Sequence, residues 1–530
     1  MTWWGSLVRV QSRLPIPNKP PIHGGFSLAR RALTLPRRGR YFHQPIPATP
    51  SPTNVLPIQP PCRPLAALAL ALLVTGCAAP GEAPPPARLT EVDQLDLGKA
   101  FPDGGAAPAA PWWAELGDPQ LARWVARAVE GSPSLRIAQA RLQQAQAAAG
   151  IARAAELPTV NGTGDFTLNR FTESEFIPPP YAGHHEWDNK ILAQARFDLD
   201  LWGRNRSLNA AALDTARAAQ AEAIAARLSL QTAVVRTYLQ LALSHALRDI
   251  AEATLAQQQQ ILDITQRRYR AGLGTQLEVS EAQTPLPTTR ALIEQINDAI
   301  ARQRNEIAAL AGAGPGDAAG IAPPQIDLGR TTPLPDVIPA HWLGRRPDLI
   351  AQRWRVEAAG QSVRAARASF YPDINLGAFA GVQSLGFTQL LDGSSFLAGV
   401  GPAISLPIFN GGRLRAELGA STAAYDVAVE TYNQTLIAAL TQTANLIASV
   451  RSLDVQIDET RQALVSADRA YNLALTGYRA GLTEYLSVLN AQSRRLEEQR
   501  RLAQLQAQRL DAQTALYEAL AGGMEGSPSP

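Results

Sequence analysis

Two periods of hydrophobicity alternate along this chain. Over 160–169, Val160, Gly162, Gly164, Phe166 and Leu168 alternate with Asn161, Thr163, Asp165, Thr167 and Asn169. A period of two predicts a strand with one apolar and one polar face. After a proline-containing loop over Thr172–Glu186, the pattern returns with Ile191, Ala193, Ala195, Phe197, Leu199 and Leu201 set against Gln194, Arg196, Asp198 and Asp200. Two later strands follow the same rule, one on Ile374, Leu376, Ala378, Ala380 and Val382, the other on Phe396, Ala398, Val400, Ile404, Leu406 and Ile408.

Elsewhere the period lengthens to three and four. Leu414, Leu418, Tyr425, Val429, Tyr432, Leu436, Leu440, Ile447, Val450, Leu453 and Ile457 make one helical seam. Ile224, Leu228, Val235, Leu239, Leu243, Leu247 and Ile250 make another, and coiled-coil packing has this spacing. No proline interrupts 204–270 or 413–479, so each stretch can run as one helix of about 100 Å at ~1.5 Å per residue. A first helix pair is expected over Leu121–Ala155, ended by Pro158, and return helices over Leu273–Ala311 and Leu482–Ala521. Pro285 and Pro287 should kink the first return helix.

These elements occur twice. Tyr269 to Gln283 and Tyr478 to Gln492 share nine identities in fifteen positions, at a constant shift of 209. Pro133-Ser134-Leu135 is answered by Pro347-Asp348-Leu349, and Ala152-Arg153-Ala154 by Ala366-Arg367-Ala368. The expected fold class is α+β, in two tandem repeats over 118–312 and 346–522 with a Gly/Pro-rich connector over 313–345. Each repeat runs helix, two strands, long helix, hinge, long helix. Gly272 and Gly481, each with an arginine nearby, fit helix C-termini, where positive φ is cheap and a cation meets the dipole.

Four strands of about ten residues suit a membrane barrel, apolar outside and polar inside. They cannot close one alone, and lipid does not tolerate an open edge, so several chains must contribute. A soluble sandwich sheet is the alternative reading of the strands by themselves.

The chain's 530 residues have a formal net charge of +3, which conceals an asymmetry. Residues 1–64 carry nine of the 49 Lys and Arg and none of the 46 Asp and Glu, leaving the rest at 40 against 46, a net of −6. The basic balance is therefore no argument for nucleic acid. The apolar run Leu65–Val74 is too short for a permanent bilayer helix and has the shape of a signal-peptide core leading to Gly76-Cys77. Residues 55–76 are expected to be a lipoprotein signal, with Cys77 acylated as the mature N-terminus and 77–117 as its Pro/Ala/Gly tether. Residues 1–54 then form an extraneous leader upstream of the true start; a transit peptide shares their Arg-rich look but would not end at such a cysteine. Residues 523–530 are expected to be a disordered tail.

The most specific stretches are Leu343-Gly344-Arg345-Arg346-Pro347-Asp348, Ala366 to Pro372, Leu406-Pro407-Ile408-Phe409-Asn410-Gly411-Gly412-Arg413, and Tyr478 to Gln492. On these the chain resembles the TolC-type outer-membrane efflux channels, in their lipoprotein (NodT-like) branch. The resemblance implies a homotrimer with a 12-stranded barrel in outer-membrane lipid and a helical tunnel across the periplasm of a Gram-negative bacterium. It further implies a periplasmic membrane-fusion adaptor and an inner-membrane pump, of the RND type, as partners. The hinges Arg270-Ala271-Gly272-Leu273 and Arg479-Ala480-Gly481-Leu482 would then be the docking tip, beyond their capping role. Relatives narrow the tip with acidic rings just after the second hinge. Here those positions are Ser487 and Asn490, while the first repeat carries Glu278 and Glu281; the acids either moved to that repeat as a gate or form a solvated helix face.

Catalytic machinery is not expected. The six histidines (His23, His43, His184, His185, His245, His341) show no metal-ligand spacing, and Gly312 to Gly316 ends a helix instead of opening one, so no phosphate cradle, metal or cofactor is anticipated. The function expected is a passive exit duct for small molecules. A type I protein-secretion conduit is the alternative within the channel class, and a periplasmic coiled-coil adaptor or scaffold the alternative outside it. Mass spectrometry of the membrane-extracted protein should find acylated Cys77 as the first residue. Peptides from residues 1–54 in that preparation would refute both the signal and the start assignment.

Overall fold

The computed structural model describes residues 87–90, 112–174, 177–330 and 344–520. A 3-10 turn at Trp112–Leu116 leads into α1 (Pro119–Gly131) and α2 (Pro133–Ala154), followed by β1 (Thr159–Arg170) and β2 (His185–Asp198). The long α3 (Arg204–Arg270) descends, and α4 (Gln276–Gln283) with α5 (Pro285–Leu310) returns. A one-turn α6 (Pro315–Ala318) lies in the connector. The second repeat follows as α7 (Pro347–Ala368), β3 (Asp373–Leu385), β4 (Phe396–Ser405), α8 (Arg413–Arg479) and α9 (Tyr485–Ala519).

The strands form one antiparallel sheet in the order β1-β2-β3-β4. Register sets its faces: Asn161↔Gln194, Gln194↔Phe379 and Phe379↔Gly399 share one side, while Gly162↔Ala193, Ala193↔Ala380 and Ala380↔Ala398 share the other. The second side carries the exposed Val160, Phe166, Leu168, Ile191, Leu376, Phe396, Val400 and Ile404. Aromatic groups mark both ends of that apolar band. Phe387 stacks on Phe166 at 6.1 Å and tilts against Trp187 at 5.4 Å at one end. Trp202 stacks on Tyr371 at 4.7 Å where the sheet meets the helices, with its Nε1 donating to the Pro372 carbonyl at 2.8 Å. Such belts are found at membrane–water interfaces.

The sheet departs from the alternation at its ends. β2 begins at His185, inside the stretch read as a loop, because His185 and Glu186 pair with Arg170 and Asn169 of β1. β2 and β4 stop at Asp198 and Ser405 instead of running to Leu201 and Ile408. There the chain turns toward the helices, and Asp200 caps the turn by accepting from the Asn205 and Arg206 backbone N–H groups, each at 2.9 Å.

Both long helices contain 67 residues. The seam of α8 is buried at Leu414, Leu418, Val429, Leu436, Leu440, Ile447, Val450 and Ile457. The middle of α3 is buried well beyond its expected seam, at Leu230, Val234, Tyr238 and Leu241 as well, because residues of α1, α2, α5 and α9 all join its core there. The anticipated kink takes the form of a junction at Thr284, which keeps α conformation (φ −57, ψ −44) and donates its N–H to the Ser280 carbonyl at 3.2 Å. Proline is tolerated in the first turn of the helix beyond, where its missing N–H is least needed.

One buried carboxylate joins three elements. Asp118 caps α1 through the Gln120 N–H (2.8 Å), and its other oxygen accepts from Tyr238 Oη of α3 (2.6 Å) and the Gln325 N–H of the connector (2.8 Å). Gln120 completes the knot, donating to Tyr238 Oη at 2.7 Å and exchanging bonds with the Ala322 backbone at 3.0 Å in each direction. Burial acts to raise the Asp118 pKa, but these donors outweigh it and hold the carboxyl below its ordinary value. A lowered carboxylate pKa contributes stability that is present above the unfolded value, about 3.9, and is lost as pH falls through the folded one. Asp118→Ala should therefore destabilise the fold at neutral pH, by about 1–3 kcal/mol for each orphaned donor, and lower the thermal midpoint. The gap from wild type should narrow in acid; an unchanged midpoint at neutral pH would show that the knot is not structural.

Candidate functional site

The tip is built by two equivalent turns. At the first, the Gly272 N–H reaches the Tyr269 carbonyl (3.0 Å) and the Leu273 N–H the Arg268 carbonyl (2.9 Å). At the second, the Gly481 N–H reaches Tyr478 (3.1 Å) and the Leu482 N–H reaches Gly477 (2.8 Å). This is the Schellman arrangement, and it needs the left-handed φ of +73° at Gly272 and +76° at Gly481. The turn residues Arg270, Ala271, Gly272, Arg479, Ala480 and Gly481 are exposed, and Leu273 and Leu482 present 68% and 82% of their surfaces to solvent. Among the described residues, these two leucines, each beside an arginine at the end of its long hairpin, belong to no buried cluster.

The two turns are not equivalent in packing. Tyr478 is 1% exposed whereas its repeat counterpart Tyr269 is 45% exposed. Tyr478 Oη lies 3.1 Å from Thr265 Oγ1, and its ring meets Tyr485 edge-on at 5.9 Å. Arg268 spans the hairpins: its guanidinium lies 4.8 Å from the Tyr478 ring centre and donates to the Tyr478 carbonyl (3.1 Å) and the Leu273 carbonyl (3.2 Å). Ile261, Ala282, Tyr471 and Val488 close this small core. Burial, then the neighbouring Tyr478 and Glu281, push the Tyr485 phenol up to about 12. Tyr478 and Tyr485 lie in the repeated stretch but had no role assigned from the sequence, and Arg268 and Thr265 were not singled out. Alignment of the repeats carried a signal, because Arg268 falls opposite Gly477.

The four residues considered for a gate occupy different settings. Glu278 forms a capping box with Thr275: its N–H donates to Thr275 Oγ1 (3.2 Å) and its carboxylate accepts from the Thr275 N–H (3.3 Å). Glu281 is half-buried toward the second hairpin and Tyr485, while Ser487 and Asn490 are exposed. The structure thus separates the surroundings of the two glutamates, although one turn of α4 carries both.

Cys77 lies outside the described residues, as do segments 1–54, 55–76 and 523–530. Part of the expected tether is described, as an extended strip along α8. The Ala87 N–H donates to Asp426 Oδ1 (2.9 Å) and the Thr90 N–H to Asn433 Oδ1 (2.8 Å), while Asn433 Nδ2 donates to the Arg88 carbonyl (3.2 Å). Three extended residues and two helical turns both cover about 10 Å, so the two backbones keep step.

A sheet with an apolar outer band, standing on two long hairpins whose tips are exposed, is the architecture of an outer-membrane channel subunit. A profile of the family described as outer membrane efflux protein matches residues 124–313 and 338–522. The fusaric acid resistance protein FusA of Burkholderia cepacia is 42% identical over 369 residues, covering 68% of this chain and 69% of its own. The multidrug resistance outer membrane protein MdtP of Escherichia coli K12 is 30% identical over 86% of this chain and 95% of its own. The crystal structure of the outer membrane protein VceC from Vibrio cholerae superposes with a TM-score of 0.75 at 36% identity, covering 79% of this chain and all of its own. The chain belongs to the outer membrane efflux protein family, and its seat is the outer membrane.

Proposed function

We propose that three copies of this chain close a 12-stranded barrel continuous with a helical tunnel, forming the exit duct of a tripartite efflux system. The observation that carries this reading is the sheet's pair of free edges. Among the described residues β1 and β4 each have one neighbour, yet they flank an outward face that suits hydrocarbon, where unpaired backbone groups are not tolerated. Pairing β4 of one copy with β1 of the next removes every edge. The exposed turns around Leu273 and Leu482 then dock on a periplasmic adaptor, which couples the duct to an RND-type inner-membrane pump. Acylated Cys77 anchors the tether that runs along α8. The cargo is small molecules, a reading supported by relatives named for fusaric acid resistance and for multidrug resistance. Mass measurement in detergent should give a trimer, and a stable monomer with an intact β signal would overturn the barrel.

Glu278 and Glu281 are proposed as stacked acidic rings near the narrow end, where low local dielectric strengthens like-charge repulsion and divalent cations bind. Glu278→Gln with Glu281→Gln keeps the capping box, since glutamine serves at that position. In planar bilayers this pair of changes should weaken divalent block of the single-channel current and lower cation selectivity, with a smaller difference at high salt. Ser487→Ala with Asn490→Ala should alter selectivity little. Wild-type block in the glutamate variant would make these residues ordinary surface charges.

A further inference from the structure

The polar side of the sheet holds a recess of about 950 Å³, lined by residues that include Gln194, Arg196, Gly377, Phe379, Gly399 and Gly401. Most of this side is polar or small, as a water-filled lumen requires; Leu192, Leu397 and Phe379 break the rule, and Phe379 does so with 41% of its surface exposed. Its ring lies across the neighbouring strand at Gly399, where an added Cβ would sit 2.8 Å from the phenyl carbons. The next row reads Arg196, Gly377, Gly401. A Cβ at Gly401 would meet nothing within 4 Å, and one at Gly377 only the Gly401 carbonyl at 3.8 Å. Packing therefore does not demand glycine at either position, and their bareness leaves open floor beside the phenyl ring.

A cation stands over that floor. Arg196 is exposed, and among the described residues its guanidinium has no hydrogen bond or ion pair. Its cross-strand neighbours are Thr159 and Gly377, neither acidic. Lys190, the other cation on this side, faces Asp165 directly. Further acids, Asp188 and Glu186 toward one end and Asp198 and Asp373 toward the other, lie beyond the recess. Asp198 is engaged with the Asp200 N–H (3.0 Å) and Asn205 Nδ2 (2.9 Å). Arg196 and Phe379 are diagonal neighbours, a relation that sets side chains about 7–8 Å apart. A benzene ring with a carboxylate attached spans a similar distance.

We propose that this recess is a transit site for aromatic carboxylates, with the ring stacked on Phe379 above Gly377 and Gly401 and the carboxylate held by Arg196. The inference rests on the trimeric-barrel reading, which makes this side of the sheet the lumen. Three weak sites around one axis slow a passing anion without trapping it, the condition for conduction through a binding pore.

Benzoate added to the purified channel in planar bilayers tests it. Wild type should show brief, concentration-dependent interruptions of single-channel current. Phe379→Ala should raise the half-blocking concentration by about three- to tenfold, the range expected for loss of one aromatic contact. Arg196→Gln should do the same and remove the salt dependence of block, whereas Lys190→Gln should change little. Acetate and benzyl alcohol, each carrying half of the recognised chemistry, should interrupt weakly. If Phe379→Ala forms no channel, Phe379→Leu, which keeps the bulk and loses the ring, takes its place. Unchanged block in the Phe379 variant, or acetate blocking as well as benzoate, overturns the site. Absence of any conductance in the wild type instead overturns the barrel.

Discussion

A strand edge in hydrocarbon leaves N–H and C=O groups with nothing to bond, and that single constraint orders the rest of this chain. It explains why a sheet of only four strands can carry so many exposed apolar residues on one side and remain half-polar on the other. In the barrel we propose, the edges are met by other copies, so the surface that decides assembly is backbone, and side chains on the two faces are free to answer lipid and water separately. The helices inherit the consequence. Whatever symmetry joins the sheets also joins the hairpins beneath them, while the seams of α3 and α8 are already buried inside the protomer.

Within the protomer, the duplication supplies two hairpins of one design, and function enters where the copies diverge. Both turns close with the same backbone bonds, yet only Tyr478 is driven into a core, because Arg268 reaches across from the first hairpin to its ring and carbonyl. The counterpart of Arg268 is Gly477, which has no side chain to reach back. At the turns themselves the guanidinium reach therefore runs in one direction only. The acids follow the same asymmetry, with Glu278 and Glu281 on one copy and Ser487 and Asn490 on the other.

Much of this was legible in the residues because the governing patterns are local. A period of two over Val160–Leu168 can only be a two-faced strand, and proline-free stretches of 67 residues flanked by Gly203 or Gly412 and by the hinge glycines leave little besides one helix each. What escaped depends on contacts distant in sequence. His185 and Glu186 carry no strand pattern of their own and extend only because β1 offers partners. The middle of α3 is buried on further faces because residues of four other helices pack on it, which a single seam does not encode. Glu278 reads as a gate residue or part of a solvated face, and nothing in that reading shows that its carboxylate also satisfies the amide of Thr275, three residues back. Pro285 and Pro287 point to a break in the return helix, but not to its form, in which the ladder runs up to Thr284, whose hydroxyl also bonds to the Ser280 carbonyl at 3.0 Å.

The equal lengths of the paired helices carry an implication for how such a duct can change size. α3 and α8 have 67 residues each, and the 8 and 26 residues of α4 and α5, joined by Thr284, match the 35 of α9. One residue added to a single member would turn everything beyond it by about 100° and slide it about 1.5 Å, pulling its seam out of the core. Growth is tolerable only in steps that restore the angle, such as seven residues with a drift of about 20°, or eighteen for five whole turns. Such a step has to be taken in all four members together. The reach of the tunnel is therefore quantised, and relatives spanning a wider gap should differ from this chain by matched blocks in both halves.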